Sequence, residues 1–192
     1  MTFKLLYNEI GPLGTPYQKG DWKKFAIHID TEVKGFFGDY QFLSNFWPCH
    51  VTLDGVSYKS VELAYQASKW KAGTDREYFT NCTSLQSIEY NRTHTGSSAS
   101  AGVDGGAHVS APNGYTPDEW NAVKVSIMRS LLEQKFDREM NPELYAQLLA
   151  TGTKHLEEMN WWGDTFWGTD KEGKGDNMLG RLLMEVRDRS DQ

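Results

Sequence analysis

The chain has 192 residues, a formal net charge of −6 and a pI near 5.4, with 39% apolar and 13% aromatic residues. It is long enough for one domain with a true core and too acidic to bind nucleic acid broadly through a basic surface. It has no apolar run approaching the length of a membrane span. The opening Met-Thr-Phe-Lys-Leu-Leu lacks the apolar run and small-residue cleavage site of an export signal. Cys49 and Cys82 make neither a metal motif nor a disulfide framework. Reduced thiols in a cytoplasmic protein are the expectation, and the Asn-X-Thr matches at Asn81 and Asn91 are then chance matches.

Residues 1–34 mix apolar positions such as Leu5, Ile10 and Ile27 with turn formers at Gly11, Pro12, Gly14 and Gly20. They read as an N-terminal arm packed on the domain, with one or two strands, one of them over Phe25–Asp30, and His28 at a surface or edge. Gly35-Phe-Phe-Gly-Asp-Tyr-Gln-Phe-Leu-Ser-Asn-Phe-Trp follows, aromatic and punctuated by Gly35 and Gly38. Ser44 and Asn45 lie among buried-type residues, so they either close a local turn or contact a ligand. Residues 50–58 are two β-rich runs around Asp54-Gly55, a hairpin signal.

Residues 58–70, Tyr-Lys-Ser-Val-Glu-Leu-Ala-Tyr-Gln-Ala-Ser-Lys-Trp, predict a helix capped by Ser60, with Glu62 in its first turn. Glu62, Gln66 and Lys69 are spaced i, i+4, i+7 and share one face. The acid and the amine then stand roughly 10 Å apart along the axis. The stripe fits a solvated face as well as the wall of a polar cleft.

Helical turns are predicted within residues 78–90, and residues 95–115, rich in Gly, Ser and Ala, read as a flexible insertion. Thr116-Pro-Asp-Glu is a capping box opening a helix that runs to about Phe136. Asn141-Pro142 opens another, which Gly152 stops. Residues 160–168 are an aromatic loop, and the last helix carries Leu179, Leu182, Leu183 and Val186, with Gly180 marking a close backbone approach. Of the seven tryptophans, four fall at Trp120, Trp161, Trp162 and Trp167; clustered indoles are usually core, but they also make stacking walls for flat heterocycles. Arg129, Arg181 and Arg187 are possible phosphate partners, although arginines on helices are usually solvated ends.

Five segments together carry a resemblance. They are the Gly35–Trp47 stretch, Ser-Val-Glu-Leu-Ala-Tyr-Gln-Ala-Ser-Lys, Trp120, Thr151-Gly-Thr with Leu156-Glu-Glu, and Asp164-Thr-Phe-Trp-Gly with Asn177-Met-Leu-Gly-Arg. Their order and spacing over residues 35–190 resemble the NADAR superfamily, also called YbiA-like. The departure lies at residues 83–115, where a Gly/Ser-rich stretch stands in place of an arginine-bearing helix.

The resemblance implies a mainly helical α+β fold, a YbiA-like single domain over residues 35–192 with a small N-terminal β portion. It implies an N-glycosidase that splits a ribose–nitrogen bond without metal or cofactor. The implied substrate is ADP-ribosylated guanine, as nucleoside or within nucleic acid. The alternatives are a ribosylaminopyrimidine phosphate of riboflavin biosynthesis, or binding of ADP-ribose without turnover. Glu62, Lys69 and Asp164 are the implied catalytic groups. Gly38, Phe42, Ser44, Asn45, Gln66, Trp120, Trp167, Gly168 and Asn177 are the implied substrate-binding ones. Two routes suit these types. Lys69 can attack C1 of ribose with Glu62 as acid–base partner, or Glu62 and Asp164 can activate water and stabilise an oxocarbenium-like centre. The first is preferred.

Overall fold

The computed structural model describes residues 24, 26–70, 74–95 and 115–190. Most of the N-terminal arm and of the Gly/Ser-rich insertion therefore lies outside the described residues. Strands β1 (Ile27–His28) and β2 (Glu32–Lys34) pair antiparallel. A 3-10 helix over Gly38–Leu43 leads to the hairpin β3 (Pro48–Leu53) and β4 (Val56–Ser60). Helices α1 (Val61–Ser68), α2 (Thr74–Asn81), α3 (Ser84–Thr95), α4 (Pro117–Lys135) and α5 (Pro142–Leu149) follow. Strand β5 (His155–Glu157) and helix α6 (Met178–Ser190) complete the chain. The mainly helical α+β reading holds, and the helical turns expected within residues 78–90 are the end of α2 and the larger part of α3, which runs on to Thr95.

The local signals act as their chemistry dictates. Asp54 and Gly55 both take positive φ, 50° and 79°, as a tight hairpin turn requires. The Ser60 hydroxyl accepts the Leu63 N–H at 3.2 Å and starts α1. Thr116 and Glu119 exchange both capping bonds at the head of α4. Gly152, at φ 56°, ends the turn after α5.

Helix α1 is the hub. It packs against α2, α3, α4 and the β3–β4 hairpin, and all eight of its residues are buried. Helix α4 presents Trp120, Lys124, Met128, Leu131, Leu132 and Lys135 to the interior. The second sheet runs β1-β2-β5, with β2 and β5 parallel and Val33 opposite Leu156. Residues 27–34 thus share a sheet with a strand more than 120 positions away.

The end of β5 is held between backbone and amide. Asn177, left-handed at φ 47°, accepts the Glu158 N–H at 3.0 Å and donates to the Leu156 carbonyl at 2.9 Å. A Cβ on Gly180 would stand 2.1 Å from the Leu156 oxygen, and one on Gly168 would stand 2.2 Å from the Glu158 oxygen. Gly180→Ala is therefore expected to cost about 3 kcal/mol or more, because the obstacles include fixed backbone. A urea midpoint unchanged from the native protein would contradict this.

Candidate active site

Burial decides between the two readings of the α1 stripe. Glu62 is 7%, Gln66 7% and Lys69 4% exposed, so the face is not solvated. Gln66 Nε2 donates to Glu62 Oε1 at 2.7 Å. The Glu62 N–H is held at 2.9 Å by the Asn45 carbonyl, which ties the preceding segment to the first turn of the helix.

Around this stripe stand aromatic walls. The Tyr65 ring lies 5.3 Å from Trp120 and 5.5 Å from Trp167, centroid to centroid. The Lys69 ammonium sits 5.6 Å from the Tyr65 centroid. Lys124 reaches from α4 to within 3.7 Å of the Phe166 centroid. Asp164 closes its own turn, its Oδ1 accepting the Phe166 and Trp167 N–H groups at 3.1 and 2.9 Å. Those bonds aim the 164–168 segment at α1. Buried polar atoms remain inside: Trp120 Nε1, Asn45 Oδ1 and both amide atoms of Gln41 have no hydrogen-bond partner among the described residues. In a packed interior such atoms mark where a ligand or water completes the site.

The electrostatics are those of a desolvated mixed cluster. Burial pushes the Lys69 amine down to about 8, against the pull of the Glu62 and Asp164 carboxylates. Among the described residues, no carboxylate lies within ion-pair distance of that amine. Burial raises Glu62, and the Gln66 N–H and Lys69 only partly offset it. Asp164 is raised by burial against its two backbone donors and the two lysines. Glu158, just past β5, is pushed well up by burial and by the Asp164 and Glu62 carboxylates. Burial and Asp164 drive the Tyr65 phenol well up. The arrangement offers an amine poised to lose its proton, two carboxyl groups around it, and a third carboxyl held well above the ordinary carboxylate range.

Other expected site residues have more local duties. The Ser44 hydroxyl accepts the Phe46 N–H at 3.3 Å, and its carbonyl takes the Lys135 ammonium at 2.7 Å. Asn45 Nδ2 faces Met128 Sδ at 3.6 Å. Gly38 opens the 3-10 helix at φ 58°. Phe42 packs edge-on against Phe136 in the core. Gly168 and Asn177 hold the end of β5, as described above. Of the three arginines, Arg129 pairs with Glu185, the buried Arg187 donates to Thr151 Oγ1 and the Lys154 carbonyl, and Arg181 is exposed. Glu158, Lys124, Lys135 and Asn91 escaped the sequence reading. The two lysines fall on the buried face of α4, at i+4 from Trp120 and i+4 from Leu131; that spacing was their only signal.

Residues 34–190 match the model of the NADAR domain. The chain belongs to the NADAR family. The NADAR chain is 36% identical over 152 residues to N-glycosidase YbiA of Escherichia coli, covering 78% of this chain and 81% of that protein. It is 31% identical over 151 residues to riboflavin biosynthesis protein VVA0006 of Vibrio vulnificus, covering 78% of this chain but only 35% of that longer protein. The NMR structure of E. coli YbiA superposes with a TM-score of 0.63 at 30% identity, covering 86% of this NADAR chain and 88% of that one.

Buried charge has a thermodynamic signature. The raised carboxyls keep protons that the unfolded chain releases, so stability falls as pH rises through their window above the ordinary carboxylate range. Lys69 and Lys135, both lowered to about 8 by burial, stay neutral where the unfolded amines are charged, so stability recovers between pH 8 and 10.5. A minimum in folding stability between these windows is expected. Thermal melts across pH 5–10 with a maximum near neutrality would contradict it.

Proposed function

We propose that the protein is an N-glycosidase that breaks the bond between C1 of a ribose and a base nitrogen through attack by Lys69. The observation that carries this reading is the Lys69 amine, enclosed beside Glu62 and Asp164, without a direct ion pair among the described residues, and lowered to about 8. At pH 7.5 about a quarter of such amines are neutral and nucleophilic.

In the proposed route the amine nitrogen bonds to C1 as the C1–N bond to the base breaks, its electron pair leaving with the base. Glu62 takes the proton that the new C1–N linkage sheds and returns it to the departing nitrogen. Asp164 faces the positive charge that develops at C1. The ribose ring then opens to a Schiff base, and water releases the sugar and regenerates the amine. Trp120 and Trp167 flank the base or ribose.

ADP-ribosylated guanine is the proposed substrate, with ribose–guanine cleavage freeing ADP-ribose. The net charge of −6 favours a small molecule or a single modified nucleotide over long duplexes. A ribosylaminopyrimidine phosphate is the second reading, favoured by the relative named for riboflavin biosynthesis. Incubation with each compound, followed by chromatography, tests both. Release of guanine-containing product and ADP-ribose supports the first, and release of free base from the pyrimidine supports the second. Tight binding without turnover of either would leave a binding module and end the enzyme reading.

A further inference from the structure

Three side chains converge behind Glu62: Gln66 and Trp70 from α1 and the residues that end it, and Asn91 from α3. The Trp70 indole Nε1 donates to Asn91 Oδ1 at 2.7 Å. Asn91 Nδ2 donates to Gln66 Oε1 at 2.7 Å and to the Gln66 backbone carbonyl at 3.0 Å. Gln66 Nε2 donates to Glu62 Oε1 at 2.7 Å. All four residues are buried, with Asn91 1% exposed.

The direction of this chain is fixed by chemistry. An indole N–H can only donate, so Asn91 must turn its oxygen to Trp70. The Gln66 backbone carbonyl can only accept, so the Asn91 amide nitrogen must face Gln66. Gln66 is then left to present N–H, not C=O, to Glu62. A carboxylate accepts that bond; a protonated carboxyl could also accept it but gains less.

We propose that Asn91 is a positioning residue: through a one-way relay starting at Trp70 it compels Gln66 to offer N–H to Glu62, and so selects the ionised form of that carboxylate. The inference rests on the reading of Glu62 as the acid–base group, but it concerns how that group is kept ready. The burial of Asn91 also removes its Asn-X-Thr match from consideration as a glycan acceptor.

The charged and titratable groups around Glu62 are Lys69 and Tyr65 beside it, Asp164 from the turn before α6 and Glu158 from the end of β5. From α4, Lys124 acts on Asp164. From α3 the relay contributes a neutral amide, so its effect is separable from theirs by substitution.

Asn91→Asp replaces the donor by an acceptor. Gln66 must then turn its nitrogen to residue 91 and its oxygen to Glu62, which can answer only by holding a proton. Trp70→Phe removes one of the groups that orient the Asn91 amide without adding charge, and leaves the Gln66 carbonyl to hold it. The measurement is the titration of the Glu62 δ-carbon by NMR in protein carrying 13C-labelled glutamate, assigned by its loss in Glu62→Gln. The Glu62 midpoint is expected to rise by about one unit in Asn91→Asp, and in the same direction by less in Trp70→Phe. Turnover below that midpoint is expected to fall about tenfold, with KM nearly unchanged. If Asn91→Asp does not fold, Trp70→Phe decides alone. A Glu62 midpoint within about 0.3 unit of the native value in the folded variants overturns the proposal. The titration needs no turnover, so an inactive native protein would end the glycosidase reading while leaving the relay to be judged on its own.

Discussion

Lys69→Met is expected to fold as well as the native protein and to lose turnover by about 10³-fold or more. The amine is buried, lies 5.6 Å from the Tyr65 centroid and has no ion-pair partner among the described residues, so little direct bonding is lost. Removing a desolvated cation without a close partner can even raise the melting temperature. Catalysis, in contrast, loses the atom that forms the covalent bond. Borohydride added during turnover should reduce the Schiff base and leave substrate sugar attached at residue 69, detected by peptide mass. The native rate should rise with pH through about 8 as the amine deprotonates. A Lys69→Met variant within about tenfold of native, with no trapped adduct, would leave water activated by Glu62 and Asp164 as the route.

Glu62→Gln should keep the fold, because an amide oxygen at residue 62 can still accept from Gln66 Nε2. It cannot shuttle a proton, so kcat is expected to drop by about 10² to 10⁴ with KM little changed. The melting temperature should hold or increase, since a carboxylate that burial already disfavours has been removed. Glu62→Asp, which withdraws the carboxylate by one methylene, should fall between the two. A Glu62→Gln enzyme turning over within about threefold of native would remove Glu62 from the chemistry and, with it, the purpose of the relay.

Much of the fold was legible because local rules act over a few residues. Asp54-Gly55 wrote the hairpin, Thr116 to Glu119 the start of α4, and Pro142 with Gly152 the limits of α5. Less was legible where partners are distant. Nothing in Glu32–Lys34 announces that it pairs in parallel with His155–Glu157. Polar residues carried the greatest ambiguity. The same i, i+4, i+7 spacing of Glu62, Gln66 and Lys69 suits water or an interior, and only the helices packed around α1 choose. Lys124 and Lys135, which the sequence reading passed over, are buried, one over an aromatic ring and one on a carbonyl. Asn91 acquires meaning only once α3 lies against α1. Gly180 was the exception among long-range features: a glycine within an apolar helix already implied a neighbour too near for a side chain.

That same pair of notches, at Gly168 and Gly180, has a consequence for anyone diversifying this protein. Each leaves room for a carbonyl of the segment that carries Glu158, so the address of that buried carboxyl is written in side chains that do not exist. Libraries built to shift substrate preference should vary the tryptophan walls and freeze these two codons. A methyl group at either would move the floor beneath the chemistry before any new specificity could be read.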